Sequence, residues 1–156
     1  MSDKLNLIKD DTPKEKPWYS EGLRFKCTGC GQCCTGAPGY IWVNEGEIKE
    51  IADFLKLSIS DFSKRYLRNV QGRLSLTEFK KTYDCIFLKE NKCTIYPVRP
   101  KQCRTFPWWP LNIKSEDQWN QAAMHCEGIN HPEAPIIDYE TIQDQLDQQQ
   151  KYTQQQ

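Results

Sequence analysis

Cys27-Thr28-Gly29-Cys30-Gly31-Gln32-Cys33-Cys34 places four of the chain's eight cysteines within eight consecutive residues. Two residues between cysteines let the backbone turn so that both sulfurs face one metal ion, with turn amides able to donate to the thiolates. The spacing occurs twice, as Cys27-x2-Cys30 and Cys30-x2-Cys33, and Gly29 and Gly31 allow the tight turns it needs. In an extended backbone, neighbouring side chains point to opposite sides. Adjacent Cys33 and Cys34 therefore read as serving two ligand sets, or one multinuclear centre. Cys85, Cys93, Cys103 and Cys126 complete the eight, which divide into two sets of four.

Thiolate-only ligand sets suit zinc and iron–sulfur clusters alike. A hydrolytic zinc site would usually add histidines or carboxylates, and none cluster here. The bacterial ferredoxin run C-x2-C-x2-C-x3-C-P matches at Cys27, Cys30 and Cys33, but its fourth position is Ala37, followed by Pro38. A fourth ligand must then come from downstream. The resulting partition groups Cys27, Cys30 and Cys33 with one remote cysteine, and Cys34 with the other three. Buried free cysteines are common as small hydrophobes, but not eight in this spacing. A thioredoxin-type pair would want a strand-to-helix context, not extra thiols among glycines.

The 156 residues suffice for one domain. With 38% hydrophobic residues and a mean hydropathy of -0.77, the core is lean and an external constraint is expected. Charge is even, 21 basic against 21 acidic residues, with no long basic run, which argues against nucleic acid. No apolar run approaches the ~20 residues of a membrane helix. Residues 1–17 are polar, lack a signal-peptide pattern and read as a flexible lead-in. A cytoplasmic location follows, where clustered cysteines are metal ligands or catalytic thiols rather than disulfides.

Leu23 to Lys26 reads as a short strand delivering Cys27, and Tyr40 to Val43 as a second strand. Asn44 and Glu47 form a capping-box pattern, followed by Ile48, Ile51, Ala52 and Leu55 on one face, which predicts a helix over 45–56. A shorter helix is expected from Ser60 to Leu67, and a weak strand from Arg73 to Phe79. Four prolines, at 97, 100, 107 and 110, exclude a long helix or central strand from 85–110. Residues 18–138 form the cysteine-cluster domain. The Gln-rich segment 139–156 starts a helix through Ile142 and Leu146 and ends in a disordered tail.

Other candidates are single residues. His125 adjoins Cys126, as a ligand, a hydrogen-bond donor to one, or a plain loop residue. His131, before Pro132, faces solvent. Phe106, Trp108 and Trp109 read as packing that excludes water. Arg99, Lys101 and Arg104 either offset thiolate charge or form a solvated basic face. Tyr83 beside Asp84 carries no catalytic pattern.

Phe25-x-Cys27-x2-Cys30-Gly31-x-Cys33-Cys34 resembles the signature of the CxxCxxCC, or YkgJ-like, family of zinc- or iron-chelating domains. Cys85-x-Phe87-Leu88, then Cys93-x-Ile95-Tyr96-x2-Arg99-Pro100-x2-Cys103-Arg104-x-Phe106-Pro107, resembles its second block, and Cys126-x-Gly128 its last. The resemblance covers roughly residues 23–130. It implies metal chelation by Cys27, Cys30, Cys33, Cys34, Cys85, Cys93, Cys103 and Cys126, and leaves the metal open. The expectation is therefore a small, loop-rich α+β domain organised around one or two cysteine-ligated metal centres. Its function is to bind zinc or an iron–sulfur cluster, alone or beside an unidentified protein partner. The alternative is an iron–sulfur oxidoreductase or electron carrier.

Overall fold

Asn44 and Glu47 set the first helix. The Asn44 side chain accepts from the Glu47 amide at 2.9 Å, and the Glu47 carboxylate accepts from the Asn44 amide at 3.0 Å. The box satisfies two of the amides that a helix start leaves open. The computed structural model describes residues 15–35 and 38–154, so the lead-in through residue 14, the motif position at Ala37 and the last two residues lie outside it.

In chain order the elements begin with β1 (Leu23–Arg24), a 3-10 turn at Gln32–Cys34, β2 (Ile41–Trp42), α1 (Glu45–Phe54) and α2 (Ile59–Tyr66). They continue with β3 (Leu67–Val70), β4 (Arg73–Leu76), β5 (Leu88–Lys89), β6 (Lys92–Cys93), a 3-10 turn at Tyr96–Val98 and α3 (Lys101–Arg104). The chain closes with α4 (Pro110–Ile113), α5 (Glu116–Ala123), β7 (Ile136–Ile137) and α6 (Tyr139–Gln154). The fold is mixed α and β, in one small domain, as the sequence led us to expect. Among the described residues no helix is long and apolar enough to cross a membrane.

Three antiparallel sheets carry the strands: β2-β4-β3, β1-β7 and β5-β6. The β3 strand was not foreseen from sequence, which ran the preceding helix to Leu67. Its hairpin closes through Gln71 and Gly72, with φ of 52° and 85°, and the Asn69 side chain accepts from the Gly72 amide at 2.9 Å. Positive φ at both loop residues matches the right-handed strand twist. The α5 helix was also read only as a polar segment; Ser115 caps it by accepting from the Gln118 amide at 3.2 Å.

Buried side chains form two clusters. One joins Ile48, Ile51 and Phe62 of α1 and α2 to Leu76, Cys85, Phe87 and Ile95. The other joins Trp108, Ile113, Trp119, Cys126 and Ile129 to Ile142 and Leu146 of α6. Trp108 stacks on Trp119 at 5.2 Å between centroids. The Gln-rich helix thus covers core, and its Tyr152 is buried as well.

The Glu47 carboxylate is buried and serves donors from three segments. Besides the Asn44 amide it accepts from the Lys101 amide at 2.7 Å and the Tyr152 hydroxyl at 2.5 Å. Glu47→Ala takes this acceptor from the Asn44 and Lys101 amides, while the Tyr152 hydroxyl keeps the Trp42 carbonyl at 2.8 Å; it should cost about 3 kcal/mol, since each buried donor left unsatisfied costs about 1–3 kcal/mol. Tyr152→Phe removes one donor and should cost about 1 kcal/mol. Denaturant midpoints of the two variants test the ordering; equal losses would contradict it.

Candidate metal centre

The backbone brings three distant segments to the cysteines. The Phe25 amide donates to the Pro135 carbonyl at 3.3 Å, the Lys26 amide to the Gly128 carbonyl at 3.1 Å, and the Asn130 amide to the Arg24 carbonyl at 2.9 Å. The strand entering Cys27 is thus clamped to the segment leaving Cys126. Gly128 makes this possible, because a Cβ there would collide with the Lys26 carbonyl. At Gly31, φ is +75° and a Cβ would collide with the Asn91 carbonyl in the β5–β6 turn. The cysteine loop therefore lies directly on the hairpin that carries Cys93. The Cys85 amide donates to the Cys34 carbonyl at 2.7 Å.

Cys33, Cys34, Cys85 and Cys93 line the same cavity, and Cys33, Cys85 and Cys93 are the neighbours that act most strongly on the Cys34 thiol. This differs from the expected opposite pointing of Cys33 and Cys34. That expectation assumed an extended backbone, whereas Gln32–Cys34 is a 3-10 turn. Three residues per turn set neighbouring side chains about 120° apart, so both sulfurs reach the same space. Cys33 and Cys34 thus both line the cavity that also holds Cys85 and Cys93.

The hydrogen bond from Cys34 is the leading cause that lowers Cys93 to about 6 and Cys33 to about 7. It also lowers Cys85. The Cys34 thiol is raised, foremost by Cys33, then by Cys85 and Cys93. One S–H serves one acceptor at a time, so four sulfurs share few protons. Backbone amides of Phe87 and Ile95 donate to Cys85 and Cys93, each two residues past its cysteine. The Arg99 charge lowers Cys33 and Cys93 further. Amide donors and a nearby positive charge both favour a thiolate.

Cys27, Cys33, Cys34, Cys85, Cys93 and Cys103 line one cavity of about 130 Å3, together with Phe25, Ile95, Tyr96, Arg99, Arg104 and Phe106. Cys103 is raised, first by burial and then by the charges of Cys85, Cys33 and Cys93. The Tyr96 hydroxyl is hydrogen-bonded to Cys27, which raises it. Cys30 and Cys126 stand outside this wall; Cys126 is raised by burial and, less strongly, by the charge of Cys30. Cys33, Cys34 and Cys85 also border a second cavity of about 230 Å3 with Tyr40, Glu78, Tyr83 and Trp109.

Among the described residues no group of three or more His, Cys, Asp or Glu side chains is set, as it stands, to hold a metal ion. His125 is exposed, and His131 accepts from the Glu133 amide at 3.1 Å; neither lines the cysteine cavity. Lys101 contributes its backbone amide to Glu47 and is absent from the cavity wall. Sequence reading missed Gln102, which accepts from the Trp42 amide, donates to the Tyr40 carbonyl, both at 3.0 Å, and so fixes α3 on β2. No local pattern marks such a long-range bridge.

A small α+β domain that draws thiols from three separated segments into one cavity is a soft-ligand domain. The chain belongs to the CxxCxxCC family, described as "Putative zinc- or iron-chelating domain", whose sequence model matches residues 26–127. It is similar to an uncharacterized protein of Methanocaldococcus jannaschii, 39% identical over 93 residues, covering 58% of this chain and 48% of that one. The chain thus spans about half the length of this curated relative. No solved structure matches it. The donors fit the metals in the family description: thiols gathered from separated segments, with amides donating to sulfur.

A thiolate is the form that reacts with iodoacetamide, and its fraction rises as pH passes the thiol's pKa. In reduced, metal-stripped protein, Cys93 labelling should climb around pH 6 and level off, with Cys33 following near pH 7. Cys103 should still be unlabelled there. Arg99→Gln should move the Cys33 and Cys93 curves to higher pH. Peptide mass spectrometry across pH reads all of these at once; identical curves for Cys93 and Cys103 would contradict the electrostatics.

Proposed function

We propose that this protein binds zinc or iron through its cysteines, with Cys33, Cys34, Cys85 and Cys93 as one ligand set. Cys27, Cys30, Cys103 and Cys126 form the other. The carrying observation is one cavity lined by six cysteines that come from three separated segments of the chain. Arg99 offsets thiolate charge, the Phe87 and Ile95 amides orient the sulfurs, and Phe25, Ile95 and Phe106 limit water around them. With eight unpaired thiols, a reducing compartment such as the cytoplasm is our reading.

A zinc ion bound here would be structural or transferable cargo, whereas an iron–sulfur cluster would supply one-electron transfer. The cavity volume favours the cluster as a second reading. About 130 Å3 is several times the roughly 30 Å3 share of one liquid water, more room than a lone ion needs.

Protein prepared without oxygen should contain at least stoichiometric zinc or iron by elemental analysis. Colour with acid-labile sulfide would select the cluster; colourless protein with zinc would select the ion. Cys34→Ser should lower metal content more than Cys103→Ser, because Cys34 interacts most strongly with Cys33, Cys85 and Cys93, whereas Cys103 is affected first by burial. Protein free of both metals, or a Cys34→Ser variant with undiminished content, would overturn the proposal.

A further inference from the structure

Cys126 is the last cysteine in the sequence, so α6 contributes no sulfur to the cavity. The end of α6 is nevertheless bonded to the element that carries Cys103. That element, α3, is four residues long. A single helical turn gains too little from its own hydrogen bonds to hold a position. The placement of α3, and of the sulfur on it, is set from outside.

Three attachments set it. The Lys101 amide donates to Glu47 at 2.7 Å, and Gln102 bonds the Trp42 amide and the Tyr40 carbonyl. The third is Thr105, which closes α3 and is 1% exposed. Its hydroxyl lies 2.9 Å from Oε1 of Gln149 on α6, and 3.0 Å and 3.3 Å from the Lys101 and Gln102 carbonyls. The hydroxyl has one proton to give, but the Gln149 amide turned end for end donates to the same oxygen, so α3 and α6 are both served. Further along α6, the Tyr152 hydroxyl reaches Glu47 at 2.5 Å and the Trp42 carbonyl at 2.8 Å. At 100° per residue, Thr105 stands about 200° round the helix from Cys103. α6 therefore grips one face of α3, and Cys103 leaves the other to line the cavity.

We propose that Thr105, Gln149 and Tyr152 are positioning residues for Cys103, so that the end of the Gln-rich helix fixes where this sulfur meets the metal. This rests on the metal-binding reading above, in which Cys103 belongs with Cys27, Cys30 and Cys126. The coupling is reciprocal. Metal that holds Cys103 steadies α3, and with it the seat of Gln149 and Tyr152.

The test labels the zinc-loaded full chain with iodoacetamide and reads each cysteine separately by peptide mass spectrometry. A bound sulfur reacts only when its surroundings open locally. Circular dichroism first checks that each variant keeps the wild-type fold; Gln149 is only partly buried, so its variant breaks the same bond with less disturbance than one at Thr105. Thr105→Val and Gln149→Ala should each speed Cys103 labelling about tenfold, the scale of one buried hydrogen bond left unmade. Cys27, Cys30 and Cys126 should follow, while Cys33, Cys34, Cys85 and Cys93 keep their wild-type rates. Thr105→Ser, which retains the hydroxyl, should label as slowly as wild type, and so should Gln150→Ala, exposed on the same helix. In wild-type protein, zinc should slow amide hydrogen exchange at the end of α6. Rates unchanged in both variants, all eight cysteines accelerating together as a merely structural loss would produce, or α6 exchange indifferent to zinc overturns the inference and leaves metal binding intact. Wild-type protein in which zinc protects none of the eight cysteines overturns both readings.

Discussion

A single buried carboxylate joins the parts of this fold. Among the described residues Glu47 has no cationic partner; it is held by neutral donors from the start of α1, the start of α3 and the end of α6. Burying a carboxylate is costly unless its oxygens are well supplied with hydrogen bonds. Here the supply comes from elements more than fifty residues away, as with Lys101 and Tyr152. The requirement works in both directions: α1 cannot bury Glu47 without α3 and α6 in place. Because Cys103 and Arg104 lie just beyond Lys101, the same joint sets where they sit against the cysteine loop.

The sulfur site depends on that frame but follows another logic. Thiols brought together in a dry space resist ionising together, and burial, with the charges of neighbouring cysteines, pushes Cys103 and Cys126 upward. Around Cys34 the balance tips the other way, because the proton is shared, amides donate to sulfur and Arg99 stands close. One chain thus holds two kinds of cysteine, distinguished by neighbours rather than by exposure alone. Cys85 is buried, yet lowered.

What local sequence controls was legible in it. The Asn44 and Glu47 box, the apolar face of α1 and the Phe62–Tyr66 spacing each work within one or two helical turns, and all appear in the structure. Where reading failed, the deciding partner lay far away or the backbone was assumed rather than known. Cys33 and Cys34 share a direction because Gly31 must turn against Asn91, sixty residues on. The β3 strand pairs with β4 through a Gln-Gly loop, a weaker turn signal than Asn-Gly. The Glu47 carboxylate was visible as a cap, but its bonds to Lys101 and Tyr152 left no trace in the pattern around it. The cysteine spacing pointed to ligands without disclosing which sulfurs meet.

Cys33, Cys34 and Cys85 border two cavities at once, one walled largely by apolar side chains with Arg99 and Arg104, the other edged by Tyr40, Glu78, Tyr83 and Trp109. Sulfurs that border two chambers are open to traffic from either, so entry and exit need not share a door.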